Sequence, residues 1–318
     1  MSTLLEVENL QSYFFTRAGL VKAVDDISFS IKKGQTHALV GESGCGKSMT
    51  ALSLLRLLPE PGRVVNGEIR FEGQDLMRLP LPEMRRIRGN RISMIFQEPM
   101  TSLNPVFRIG DQIAEVLILH SGLNKIEARE KVEELLHQVG IASPASRLLD
   151  YPHQLSGGQR QRVMIAMALA CNPELLIADE PTTALDVTIQ SQIMDLLSRL
   201  KEERNMATLL ISHDLGVVAS HADHVTVMYA GMVVEQAPVE QLFATPLHPY
   251  TRGLLACIPR FGYKGPLPTI KGHLPGMDQL SEGCSFLERC AEPFAPCGNQ
   301  KPPLTEVEPG HYVRCWRH

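Results

Sequence analysis

Gly41–Ser48 reads GESGCGKS, a full match to the spacing G-x-x-x-x-G-K-[ST]. Gly41, Gly44 and Gly46 let backbone N–H groups turn inward around an anion, with Glu42, Ser43 and Cys45 as the intervening positions. Lys47 supplies a positive charge for the outer phosphates of a nucleotide, and the Ser48 hydroxyl is a hard oxygen ligand for Mg²⁺. The apolar stretch HALV precedes the loop. A helical run opening at Lys47, Ser48 and Met49 follows it, so a helix N-terminus adds partial positive charge at the same point. Cys45 is either a small tolerated side chain or a thiol activated by that helix terminus.

A second cluster fits the same chemistry. The stretch Leu175–Glu180, LLIADE, is an apolar strand ending in two carboxylates. A buried parallel strand delivers such ends to the edge of a sheet where ligands bind. Beside a phosphate loop, Asp179 would hold Mg²⁺ through water and Glu180 would polarise an attacking water. His213 ends the next apolar run, TLLISH, where a neutral imidazole could sense a terminal phosphate. Ser156, Gly157, Gly158 and Gln159, in LSGGQ, open a helical run and make a second anion-ready helix start.

These residues resemble the ABC ATPase family, whose signature is LSGGQ. The resemblance covers about residues 4 to 240. It implies that the signature binds the γ-phosphate of ATP held by a facing second ATPase subunit, identical or paralogous. Gln97, in MIFQEP, resembles the glutamine that contacts Mg²⁺ or water and senses the transport partner. Ala184-Leu185-Asp186 resembles the loop that crosses the dimer interface. An upstream aromatic should stack on adenine; Phe14 fits best, with Tyr13 and Phe15 as neighbours in register. EPMTSLNP, TPLHPYTRGLL and the Cys-rich ending look like the oligopeptide/dipeptide-importer ATPases, a group that also serves nickel, glutathione and related solutes. That resemblance implies two transmembrane permease subunits, a solute-binding protein outside the membrane, and residence on the cytoplasmic face of the inner membrane as a peripheral subunit. The rival readings are a non-transport ABC ATPase, which would show tandem domains or long coiled coils, and a degenerate regulatory ATPase, which would lack part of the set Lys47, Asp179, Glu180 and His213.

The last stretch reads Cys284-x5-Cys290-x6-Cys297-x17-Cys315. Four thiolates suit a [4Fe–4S] cluster or tetrahedral zinc, and the lack of a C-x2-C knuckle favours iron–sulfur. Unmetallated thiols are the third reading, and His311 and His318 are spare candidate ligands.

The elements that must position these groups alternate strand and helix. THALV, RISMIF, ELLIADE and ATLLISH read as strands, HVTVMYAG with MVVEQA as a hairpin, and Lys47 to about Leu58 as a helix. LLEVENL, AVDDISFSI and a pair at GEIRF and DLMRL supply antiparallel β structure, and residues 108 to 140 are helical. The fold class is therefore α/β: a P-loop ABC ATPase fold with a mainly parallel core sheet, an antiparallel β subdomain and a helical subdomain (about 98–165). Residues 1–240 form the ATPase domain, and 241–318 a Pro-rich, loop-rich extension. A net charge of −4 and 5% aromatics argue against a nucleic-acid partner. No apolar run is long enough to span a bilayer, and MSTLLEVENL lacks the basic, apolar character of a signal peptide, which favours the cytoplasm.

Overall fold

The computed structural model describes residues 2–97, 102–183, 185–258, 265, 268–276 and 282–318. The chain divides into two compact units, Met1–Arg78 with Leu210–His318, and Leu79–Leu209.

The first unit begins with β1 (Thr3–Thr16) and β2 (Gly19–Lys32), long antiparallel partners. β3 (Thr36–Val40) is buried at every position and leads into α1 (Lys47–Leu54). The sequence suggested a helix to Leu58, but Arg56 takes a left-handed φ of 51°, and Leu57 N–H bonds back to the Leu52 carbonyl at 2.8 Å. This is a Schellman-type stop. β4 (Gly62–Phe71) and β5 (Gln74–Asp75) complete a four-stranded antiparallel sheet, β2-β1-β4-β5. The strand expected over DLMRL ends at Asp75, because the Asp75 carboxylate accepts the Met77 N–H and closes a turn.

The second unit holds α2 (Leu81–Ile87), β6 (Ile92–Ile95), α3 (Ile109–Ser121), α4 (Lys125–Gln138), α5 (Pro144–Arg147), α6 (Gly157–Ala168), β7 (Leu175–Asp179) and α7 (Val187–Arg204). β6 and β7 pair in parallel, Ile92 opposite Leu175. Ile113 and Leu117 of α3, Val132 and Leu136 of α4, and Val163 and Ile165 of α6 are buried. Asn124 and Glu127 form a capping box on α4, which fixes its start. β8 (Ala207–Ser212) carries the chain back to the first unit.

There α8 (Leu215–His221), β9 (His224–Tyr229) and β10 (Met232–Pro238) follow, with β3 parallel to β9 and β9 antiparallel to β10. Ala230 and Gly231 both have positive φ, as a tight hairpin turn requires. α9 (Val239–Ala244) and α10 (Pro249–Ala256) come next, and β11 (Thr305–Glu308) and β12 (His311–Val313) close the chain. β12 pairs with β10, so the extension adds strands to the sheet of the first unit. Phe286 of the extension is 4% exposed in the same core as Val40, Val227, Tyr229 and Tyr250. Proline-rich composition therefore does not keep this segment apart from the core. Among the described residues no helix is long and apolar enough to cross a membrane.

Candidate functional site: the phosphate loop, the carboxylate pair and the signature

The first unit carries the phosphate loop between β3 and α1. A side chain at Gly41 (φ 151°) would meet the Met228 carbonyl oxygen at 2.3 Å, and one at Gly46 (φ 109°) would meet the Ala23 carbonyl oxygen at 2.3 Å. Neighbouring backbone thus presses on the loop at both points, and only glycine fits. Gly46 is also the N-cap of α1 and offers no side-chain cap, as suits a helix start that receives an anion. Lys47 is 5% exposed and donates to the carbonyls of Gly41 (2.8 Å) and Glu42 (3.1 Å), which holds the ammonium at the mouth of the loop. Ser43 and Gly44 are exposed, Ser48 and Met49 half-buried. The cradle therefore fits a polyphosphate.

Cys45 is fully buried, and burial pushes its thiol pKa up, partly offset by Lys47. It is a packed thiol and not an activated one.

The three upstream aromatics separate clearly. Tyr13 donates its hydroxyl to Asp25 at 2.6 Å, and Phe15 is exposed with the Arg63 guanidinium 4.2 Å from its ring centre. Phe14 is half-buried, and its ring edge lies where a side chain at Gly62 would stand. His213 is exposed at the end of β8, and Asp214 beside it caps α8 by accepting Gly216 N–H at 2.8 Å.

The second unit carries the remaining residues. Asp179 ends β7 at 3% exposure, and Glu180 follows with a left-handed φ of 45°. A non-glycine residue held there stores strain, a frequent property of functional positions. Gln97 Nε2 donates to Glu180 Oε2 at 3.0 Å, which brings two sequence-identified residues together. Thr183, which the sequence reading missed, donates its hydroxyl to the same oxygen at 2.9 Å. Its place three residues beyond Glu180 was the available signal.

Ser156 caps α6: its hydroxyl accepts Gln159 N–H at 3.3 Å, and the Gln159 side chain accepts Ser156 N–H at 2.9 Å. Side chains at Gly157 and Gly158 would meet Leu185 at 3.6 Å and Ile189 at 3.0 Å, so the signature packs on the start of α7. Asp186 caps that helix, accepting Ile189 N–H at 2.9 Å. Ala184 lies outside the described residues, as does the stretch Glu98–Thr101 of EPMTSLNP.

Cys284, Cys290, Cys297 and Cys315 line one cavity in the first unit. Burial, with the neighbouring thiols adding to it, raises the Cys284 pKa to about 11, and burial also raises that of Cys315. The donor set is right in kind for a metal. Yet among the described residues no group of three or more His, Cys, Asp or Glu is arranged to hold a metal ion. The expectation of an iron–sulfur or zinc site is not supported at this level. His311 is no spare ligand: it is 1% exposed and bonds through Nε2 to the buried Glu235 carboxylate at 2.8 Å.

The motif TPLHPYTRGLL also finds a place. Glu235 accepts the N–H groups of Leu247 and His248, His248 caps α10 through Nδ1, and the Tyr250 hydroxyl accepts Glu42 N–H at 2.9 Å.

Comparison with known proteins assigns the family. The ABC transporter family model matches residues 24–183, and that of the oligopeptide/dipeptide transporter C-terminal region matches 234–297. The chain is 53% identical to the oligopeptide transport ATP-binding protein AppD of Bacillus subtilis (strain 168), over 99% of this chain and 97% of that one. It is 52% identical to a probable peptide ABC transporter ATP-binding protein of Sinorhizobium fredii, over 99% and 95%. The dipeptide transport ATP-binding protein DppD of Bacillus subtilis is 49% identical, over 99% and 95%. Among solved structures, the dimeric post-hydrolysis ATP-binding cassette MJ0796 bound to ADP and phosphate superposes with a TM-score of 0.67 at 28% identity, covering 74% of this chain and 99% of that one. cbiO1 of Clostridium perfringens, part of the ABC transporter complex cbiONQ, gives 0.65 at 28% identity, covering 77% and 92%. The chain belongs to the ABC transporter ATP-binding family, within its oligopeptide/dipeptide-importer branch, and is an ATPase.

Proposed function

We propose that this chain is the ATP-hydrolysing motor of an importer for di- or oligopeptides, paired with a second ATPase subunit beneath two permease subunits on the cytoplasmic face of the inner membrane and fed by a solute-binding protein outside it. The observation that carries the chemistry is the Gln97–Glu180 hydrogen bond at the end of β7. In this reading the loop amides of residues 43–48 and Lys47 bind the phosphates, and Phe14 stacks on adenine. Ser48, Asp179 and Gln97 would hold Mg²⁺, which neutralises charge on the phosphate oxygens when bound. Glu180 accepts a proton from the water whose oxygen attacks the γ-phosphorus, His213 contacts that phosphate, and ADP leaves with its bridging oxygen. Ser156, Gly157, Gly158 and Gln159 act on the partner's nucleotide.

The family matches to 24–183 and 234–297 support a functional division into an ATPase body, 1–240, with a helical part at about 98–165, and an extension, 241–318. A [4Fe–4S] cluster or zinc held by Cys284, Cys290, Cys297 and Cys315 is the finer reading of that extension. Convergence of the four thiols on one cavity supports it, while among the described residues no group of three or more ligand residues is arranged to hold a metal. Metal analysis of anaerobically purified chain decides between iron, zinc and none.

The test of the whole reading is reconstitution of the chain with its permeases in vesicles. Peptide uptake and peptide-stimulated ATPase activity are expected, both lost with Lys47→Ala. Uptake of nickel or glutathione without peptides would replace the peptide assignment.

A further inference from the structure

Arg289, the residue before Cys290, reaches back to the phosphate loop. Its Nη1 and Nη2 each lie 2.9 Å from a different carboxylate oxygen of Glu42, a bidentate pair. Its Nε donates to the Lys271 carbonyl at 2.9 Å, and Nη1 also lies 3.4 Å from the Tyr229 hydroxyl. The Arg289 side chain is 7% exposed and that of Glu42 28%, so the guanidinium is buried while the carboxylate is half-buried, and the fork adds charge-assisted strength and fixed geometry. Packing fixes it further: Phe286 sits edge-on to Tyr229 with ring centres 5.1 Å apart, and 5.4 Å from Tyr250.

Glu42 is thereby held at three points. Arg289 grips its carboxylate, the Tyr250 hydroxyl takes its N–H, and its carbonyl accepts from Lys47 Nζ. Two of the three clamps come from residues beyond 240, and the third is the lysine that meets the phosphates. Moving Glu42 must therefore move the carbonyl that Lys47 rests on. Without Arg289, moreover, a carboxylate beside the anion cradle loses its compensating charge and repels the incoming polyphosphate.

We propose that Arg289 is a positioning residue for the phosphate loop, and that through it the cysteine-bearing extension sets the affinity for the nucleotide polyphosphate. This rests on the loop being the ATP site. Its test uses the full chain for ATP titration and the chain assembled with its permeases for steady-state ATPase kinetics. Arg289→Ala should raise the ATP Kd and KM by roughly tenfold while kcat stays within about twofold, the signature of binding lost equally from ground state and transition state. Arg289→Lys, which keeps the charge but not the fork, should recover part of that loss at a melting temperature matching the unmodified chain. Glu42→Gln combined with Arg289→Ala should be no weaker than Arg289→Ala alone, because the two act as one unit. Should the alanine variant fail to fold, the lysine and double variants carry the decision. Unchanged Kd and KM in the folded variants, or a fall in kcat at constant KM, would overturn the proposal. Lys47→Ala is the control: if it binds ATP normally, the loop assignment fails instead.

Discussion

The two helix starts proposed to meet phosphate, α1 and α6, are capped in opposite ways. At α1 the N-cap is Gly46, with no side-chain cap, and backbone from Ala23 and Met228 presses directly on the loop glycines. At α6 the N-cap is Ser156, locked in a reciprocal capping box with Gln159, and among the described residues the signature glycines face the side chains of Leu185 and Ile189. The first start is constrained in shape and has no side-chain cap. The second is capped by its own residues and lies against side chains, not backbone. A site that holds nucleotide within one chain needs the former. A site that meets nucleotide only on dimerisation is served by the latter, since its helix must stay stable alone.

The contrast can be broken by one substitution made twice. Gly46→Ala forces a side chain onto a backbone oxygen at positive φ, and ATP binding should fall by about a hundredfold or more, read by nucleotide titration. Gly158→Ala brings its methyl to 3.0 Å from the Ile189 side chain and from no backbone atom, so the isolated chain should keep its ATP affinity within about twofold. Equal losses at both positions would erase the distinction.

A smaller effect is expected from acid. His248 and His37 are buried and neutral, with burial lowering each pKa to about 3. Their stabilising contribution is complete above about pH 6.5 and is lost as pH falls towards 3, because the unfolded chain takes up protons that the folded chain refuses. His248 caps the helix that presents Tyr250 to Glu42, so His248→Asn should flatten the acid limb of a urea-melting series. The smallest effect belongs to Ser156→Ala, which should cost about 1 kcal/mol of stability through the lost cap, measured by denaturant midpoint, and leave monomeric ATP binding intact.

Much of the site was legible because its chemistry is local. GESGCGKS, LLIADE and LSGGQ are contiguous strings, and β3 and β7 are short apolar runs bounded by turns. The short helices α2 and α8 were missed: seven residues each give too little periodicity to stand out. Least legible was the extension. Prolines and loops hid the fact that Phe286 enters the core, that β12 pairs with β10, and that Arg289 meets Glu42 from 247 positions away. Pairings at that separation leave no period in the sequence. Thiol spacing was legible too, yet it reported only that four cysteines share a cavity.

The central claim is that Glu180, held by Gln97 and Thr183, polarises the attacking water. Its most direct test is single-turnover ATP hydrolysis by the assembled transporter carrying Glu180→Gln. ATP binding should persist, ATP should trap the ATPase dimer closed, and the hydrolysis rate should fall by roughly 10² or more. A single-turnover rate close to that of the unmodified transporter would contradict the account.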